Sequence, residues 1–329
     1  MSISRLCPLV PRADSRHVPL MLAFLGACLL LAVTACGDST APDPDPLEFS
    51  AWSAPVNLGT VNSPQSDNHP GLSADGLSLY FHSNRPGGQG GEDLYVVRRT
   101  SANQPWGAPV NLAGFNTSAN DRVPFLSRDG RQLFFGSNRT GGPGGNDLYV
   151  STRSNANDDA GWTAPVPLGT AVNSTADDDG ALLLEDPSTG RSTLYFTSIR
   201  AGGLGDWDVY ASVRNPDGSF APAVLVPELS SAGRDTRAAI RADGLEFFLT
   251  SNRTGSQDLD IWVFTRSSAS AAWSAGERLP APINSELADG APALSRDART
   301  LVFYSNRSGG LGQNDLYAVT RTKLSGRDP

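Results

Sequence analysis

The segment Ser83–Val96, SNRPGGQGGEDLYV, decides how the chain is read, because it occurs five times. It returns as SNRTGGPGGNDLYV from Ser137, SIRAGGLGDWDVYA from Ser198, SNRTGSQDLDIWVF from Ser251 and SNRSGGLGQNDLYA from Ser305. The arginines Arg85, Arg139, Arg200, Arg253 and Arg307 stand 54, 61, 53 and 54 residues apart, a period that signals an array of supersecondary units.

Each unit keeps one internal order. An acid and a short apolar run lead into a turn (DNHPGLSADG, from Asp67), and an alternating strand follows (LSLYFHSNR), with Leu77, Leu79 and Phe81 on one face. The glycine loop leads to a second aromatic strand (DLYVVRR) and then to WGAPVNL, from Trp106. No segment sustains a helical period. Four short strands per unit describe an all-β propeller blade, and five units give five blades. A copy of the fourth-strand motif, WSAPVNL from Trp52, precedes the first complete unit, and none follows the last, which ends near Thr322. The N-terminal strand is therefore expected to complete the C-terminal blade, which closes the ring and removes its free edges. The propeller is expected over residues 51–322, with 323–329 as a tail.

The stretch PGLSADGLSLYFHSNRPGGQGGEDLYV resembles the WD-like β-propeller repeat of the TolB type, and the likeness runs from about Trp52 to Thr322. The third unit departs from it by an enlarged turn (LLLEDPSTGRSTLYF) and the fifth by Asp297-Ala298 in place of Asp-Gly. The resemblance implies the fold and a place in the bacterial envelope, and it implies no single activity.

The N-terminus points the same way. Arg5, Arg12 and Arg16 precede an apolar run, Pro19 to Ala35, that ends in small residues. Val33-Thr34-Ala35-Cys36 resembles the lipobox of bacterial lipoproteins, which implies a signal peptide over 1–35, lipidation at Cys36 and a Pro-rich tether over 36–50. The expected protein is exported and lipid-anchored, with Gly37 leaning toward the outer membrane by resemblance to known sorting rules. Two acyl chains would hold it at a membrane. Cys7, Cys28 and Cys36 are the only cysteines, so the exported part has no disulfide. Removing 1–35 takes away three arginines and one aspartate and leaves a net charge of −10, which disfavours nucleic acid as a partner.

The glycine loop lacks the features of a phosphate cradle, because a strand rather than a helix follows it and the only lysine is Lys323. It also lacks the sixth-place aspartate and nine-residue stacking of the calcium nonapeptide, since Glu92, Asn146, Trp207 and Asn314 hold that place. It reads as a hairpin. Around it, Arg85/Asp93, Arg139/Asp147, Arg200/Asp208, Arg253/Asp260 and Arg307/Asp315 recur and are expected to pair across the loop.

A second ring, Asp67, Asp121, Asp178, Asp235 and Asp289, begins each unit's first strand, which in a propeller lies innermost. These carboxylates either cap their own turns or line a channel mouth, where glycosidase-type acid/base chemistry or a divalent cation would suit them. A site breaks symmetry, so the unrepeated His69, Arg122, Asp177, Asp179, Arg234, Arg237 and Arg241 are the residues to follow. His82 reads as a surface or core histidine, and Trp207 and Trp262 as tryptophans outside the repeat series. No cofactor is called for, and no nucleophile elbow is present. The sequence favours a monomeric, non-catalytic scaffold for an envelope protein or a polar ligand such as a glycan or peptide. The alternative is a five-bladed carbohydrate-active enzyme with carboxylates at the channel mouth.

Overall fold

A computed structural model describes residues 47–158, 161–186 and 189–326. The expected leader and Cys36 lie outside the described residues. Five antiparallel four-stranded sheets are arranged as a five-bladed β-propeller. From the channel outward, blade one is Asp67–Leu72, Ser78–Ser83, Asp93–Arg98 and Val110–Asn111. Blade two is Asp121–Leu126, Gln132–Ser137, Asp147–Thr152 and Val166–Pro167. Blade three is Asp178–Glu185, Ser192–Ser198, Asp208–Val213 and Val224–Leu225. Blade four is Asp235–Ile240, Glu246–Ser251, Asp260–Thr265 and Glu277–Arg278. Blade five is Asp289–Leu294, Thr300–Ser305 and Asp315–Thr320, completed by Val56–Asn57 from the N-terminal end. Val56 pairs with Ala318 and Asn57 with Tyr317, as the displaced motif copy predicts. A second clasp pairs Glu48–Phe49 with Lys323–Ser325.

Alternation along each strand feeds two blade interfaces at once. In the second strand of blade one, Leu79 and Phe81 pack toward blade five with Val302 and Leu316. Tyr80, between them, packs toward blade two with Leu133 and Phe135. The same division builds the interfaces of blades two and three, three and four, and four and five. A side chain such as Phe81, fully buried, contributes about 1.5–3 kcal/mol. Connections between blades are stapled by a repeated asparagine. Asn116 accepts the Leu94 N–H at 2.7 Å and returns its own amide to the Leu94 carbonyl, and Asn62 does the same for Leu316.

The recurring arginine and aspartates pair differently from the sequence expectation. Arg85 reaches Asp67, the first residue of the innermost strand, and not Asp93. Arg139, Arg200, Arg253 and Arg307 likewise reach Asp121, Asp178, Asp235 and Asp289 at 2.5–2.6 Å. The reason is register: Asp67, Ser83 and Asp93 stand side by side, so the arginine two residues beyond Ser83 folds back over the sheet end. Each guanidinium also lies over two aromatic rings, as Arg85 does over Phe81 and Tyr95 at about 5 Å. The second aspartate closes its own loop instead. Asp93 accepts the Gln89 and Gly90 N–H groups, Asp208 those of Leu204 and Gly205, and Asp315 those of Leu311 and Gly312. Asp147 takes the Gly144 N–H, and Asp260 takes Gln257 together with the Arg278 fork. The second glycine of the run is needed for this wrap: a Cβ on Gly88 would stand 1.8 Å from Asp93 Oδ2.

Candidate functional site

The pairing settles where the first aspartate ring goes. Asp67, Asp121, Asp178, Asp235 and Asp289 are completely buried and bound to arginine, so they do not line the channel mouth as one sequence reading supposed. Four of the five also take a backbone N–H and a hydroxyl from the preceding turn, at Ser63, Thr117, Ser174 and Ser285. They hold the blades through these ion pairs.

The residues facing the channel come next along the same strands. Each innermost strand carries a bulge just after its second residue. Its third residue takes a positive φ: His69 (52°), Val123 (52°), Gly180 (68°), Arg237 (50°) and Ala291 (47°). Non-glycine residues resist this conformation, and a bulge of this kind re-aims the chain locally. In blades two and five the turned N–H finds a partner on the preceding blade's second strand. Val123 N–H donates to His82 Nδ1 at 3.1 Å and Ala291 N–H to Thr250 Oγ1 at 2.8 Å.

Four blades place a side chain at that second-strand position: His82, Thr197, Thr250 and Tyr304. Blade two has Gly136, and the space so left is filled by Asp179 of blade three; a Cβ on Gly136 would stand 2.3 Å from Asp179 Oδ1. Asp179 is wholly buried. Its Oδ1 accepts the Gly180 N–H, and its Oδ2 lies 3.1 Å from Arg122 Nε and 3.5 Å from Arg237 Nη2. The Arg122 contact is an ion pair, too bent to be a hydrogen bond, so both Arg122 Nε and Asp179 Oδ2 lack hydrogen-bond partners. Arg122 extends its Nη1 to within 3.4 Å of Glu92 Oε2. Glu92, the last residue of blade one's glycine loop, faces His82 Nε2 at 3.5 Å.

Electrostatics divides the titratable groups. Burial, then the charges of Arg237, His82, Arg122 and Arg234, push His69 well below the usual histidine range, so it is neutral at pH 7. Burial alone would raise the Glu92 carboxyl; the His82 side chain and the Arg122 and Arg237 charges outweigh it and hold Glu92 at about 2. Burial lowers Arg237 and raises the Tyr304 hydroxyl. The histidine tautomers follow from the hydrogen bonds. His82 Nδ1 accepts from Val123, so its proton is on Nε2, which lies 3.3 Å from His69 Nδ1. His69 Nδ1 is then an acceptor, and His69 carries its proton on Nε2, where no partner meets it.

The structure thus brings together His69, Arg122, Asp179 and Arg237 from the sequence candidates, with Arg234 near enough for its charge to act on His69. Asp177 does not join them, because it caps blade two's glycine loop by accepting the Asn146 N–H at 2.8 Å. Arg241 binds Asp243 and Glu246 at the other end of its strand. Trp207 and Trp262 are core residues, 7 % and 8 % exposed, and Trp262 occupies the place of Tyr95 and Tyr149 beneath its blade's arginine. Sequence reasoning missed Glu92, His82 and Tyr304. Glu92 was detectable as the one acid in a place otherwise held by Asn146, Trp207, Leu259 and Asn314. Among the described residues, no group of three or more His, Cys, Asp or Glu side chains could hold a metal ion.

Behind this polar mouth the channel narrows to a cavity of about 80 Å³. His69, Val123, Gly180, Arg237 and Ala291 ring it, and Leu72, Phe125, Leu182, Ile240 and Leu294 line its apolar far side.

No family model and no curated protein matches the chain. Solved structures do. The catalytic domain of a family 62 α-L-arabinofuranosidase from Coprinopsis cinerea is 16 % identical and superposes with a TM-score of 0.56, covering 84 % of this chain and 98 % of its own. An endo-arabinase from Bacteroides thetaiotaomicron gives a TM-score of 0.54 at 16 % identity, over 84 % and 99 % of the two chains. A putative TolB from Agrobacterium tumefaciens is 17 % identical with a TM-score of 0.45, over 86 % and 91 %. At these identities the likeness to the arabinofuranosidase and the endo-arabinase establishes the fold. The expectation of a non-catalytic scaffold is nevertheless corrected: glycoside hydrolases share this architecture over nearly their full length, and the mouth carries the unrepeated acids that a purely repetitive scaffold does not need.

Proposed function

We propose that the chain is a carbohydrate-active enzyme that cleaves glycosidic bonds at the polar mouth of its channel. The observation that carries this reading is the Glu92–Arg122–Asp179 bridge, in which one guanidinium joins a partly exposed carboxylate of blade one to a buried carboxylate of blade three. Both touch one guanidinium, so their nearest oxygens stand no more than ~9 Å apart, and the Glu92 carboxylate is the one that substrate can reach. Glu92, 31 % exposed and ionised at neutral pH, takes the proton of the attacking water. Asp179, buried behind the Arg122 and Arg237 guanidinium groups, holds them in place. The guanidinium groups steady the charge that develops on the leaving oxygen, which takes its proton from solvent.

The expected lipid anchor at Cys36 fits this role, since it would hold the enzyme among the polysaccharides of the cell envelope. The TolB-like character of the repeat is retained as part of this reading and describes the blades rather than the activity. The test is release of reducing ends from a panel of arabinan, xylan and pectic oligosaccharides by the purified protein. Glu92→Gln is expected to reduce the rate by about 10²-fold or more.

A further inference from the structure

We propose that the ligand of this mouth is an anionic saccharide whose carboxylate, as in a uronic acid, meets the rim of the channel cavity; this rests on the glycan-directed reading above. Unmet hydrogen-bond donors gather around the channel. Four buried N–H donors there lack a hydrogen-bond partner once the histidine chain is fixed by Val123: His69 Nε2, Arg122 Nε, Arg234 Nε and Arg237 Nε. The innermost-strand carboxylate oxygens likewise without one, Asp179 Oδ2 and Asp235 Oδ2, belong to groups already paired with arginine, Asp179 with Arg122 and Arg237 and Asp235 with Arg253. Buried donors left unmet cost free energy, and an oxyanion is the group that meets several at once.

The arginines of the mouth stand outside the repeat. Ten arginines serve the repeat: five bind the first aspartates, and Arg99, Arg153, Arg214, Arg266 and Arg321 lie over outer-strand aromatic rings. Arg122, Arg234 and Arg237 belong to neither series. These three guanidinium groups face Glu92 and Asp179, with Asp177 and Asp258 near enough for their charges to act on Arg122 and Tyr304. The lining sets the pose: His69 and Arg237 ring the cavity, which is apolar beyond them, whereas Glu92 and Arg122 stand outside it. The carboxylate therefore meets the His69–Arg237 rim, and the sugar ring stays at the mouth beside Glu92.

Calorimetric titration of the full chain tests this with four probes: trigalacturonate, its methyl ester, xylotriose and sodium acetate. The expected result is binding of trigalacturonate at least tenfold tighter than of the ester, weakened by added salt. Arg237→Gln is expected to abolish the preference. Because that variant removes a buried charge and could fail to fold, Arg234→Gln is measured beside it, with a drop in the same preference of threefold or more. Equal affinity for acid and ester overturns the inference, as does acetate binding as tightly as the saccharide, which marks an anion pocket only. If xylotriose binds or is cleaved while trigalacturonate shows no advantage, the inference fails and the glycan-directed reading stands. If no saccharide binds, both fail.

Discussion

Arg85 Nη2 lies 2.5 Å from Asp67 Oδ1, joining the start of blade one's innermost strand to the hairpin that follows its second strand. The same bond recurs in every blade, with the carboxylate fully buried each time. Removing one charge strands the other in a dry setting. Asp121→Asn is expected to lower unfolding stability by about 3–5 kcal/mol. Asp147→Asn, which weakens only loop contacts, is expected to cost about 1 kcal/mol. Urea unfolding of the two variants separates them, and equal losses would contradict the pairing described here.

Blade five departs from the Asp-Gly turn at Ala298, which is buried at φ 58° where Gly76, Gly130 and Gly244 take the same conformation. An L side chain resists that region by roughly 1–2 kcal/mol. Ala298→Gly is therefore expected to raise stability by about 1 kcal/mol despite the extra freedom of the unfolded chain. A lower urea midpoint would show that the Ala298 methyl packs better than the backbone term allows.

Acid sensitivity follows from His69. Its folded pKa is depressed, so the unfolded chain binds a proton that the folded chain refuses as pH falls below about 6.5. Stability is full above that value and declines below it, toward the lower folded pKa. His69→Asn keeps a residue that tolerates φ > 0 and removes the titration. The difference between wild type and variant unfolding free energies should shift in the variant's favour from pH 7 to pH 5; a difference constant over this range rules the proposal out.

Gly136 makes room for Asp179. Gly136→Ala is expected to displace the carboxylate from between Arg122 and Arg237 and to lower glycan cleavage by about 10²-fold, as misplacements near 1 Å do. Thermal unfolding should report a folded protein. Full activity in a folded Gly136→Ala variant would separate Asp179 from the site.

The blades, their number and the N-terminal closure were legible in the sequence because all three rest on periodic features: glycine loops, alternating strands and one displaced copy of the Trp52 motif. Pairing across the blade was less so. Arg85 has aspartates 18 residues before it and eight after, and only strand register puts Asp67 within its reach. The mouth was partly legible. His69, Arg122, Asp179 and Arg237 stood out as unrepeated, whereas His82 and Glu92 looked like an ordinary strand residue and a loop residue. Their place in the site comes from blade two, whose Val123 N–H reaches His82 and whose Arg122 reaches Glu92, contacts that local spacing does not encode.

The central claim is that glycosidic cleavage occurs at the mouth with Glu92 as its base. The most direct measurement compares the initial rate of reducing-end release by wild type and folded Glu92→Gln on the best substrate of the glycan panel. The account predicts cleavage by the wild type and a loss of about 10²-fold or more in the variant. Equal rates, or no cleavage of any glycan by the wild type, would contradict it.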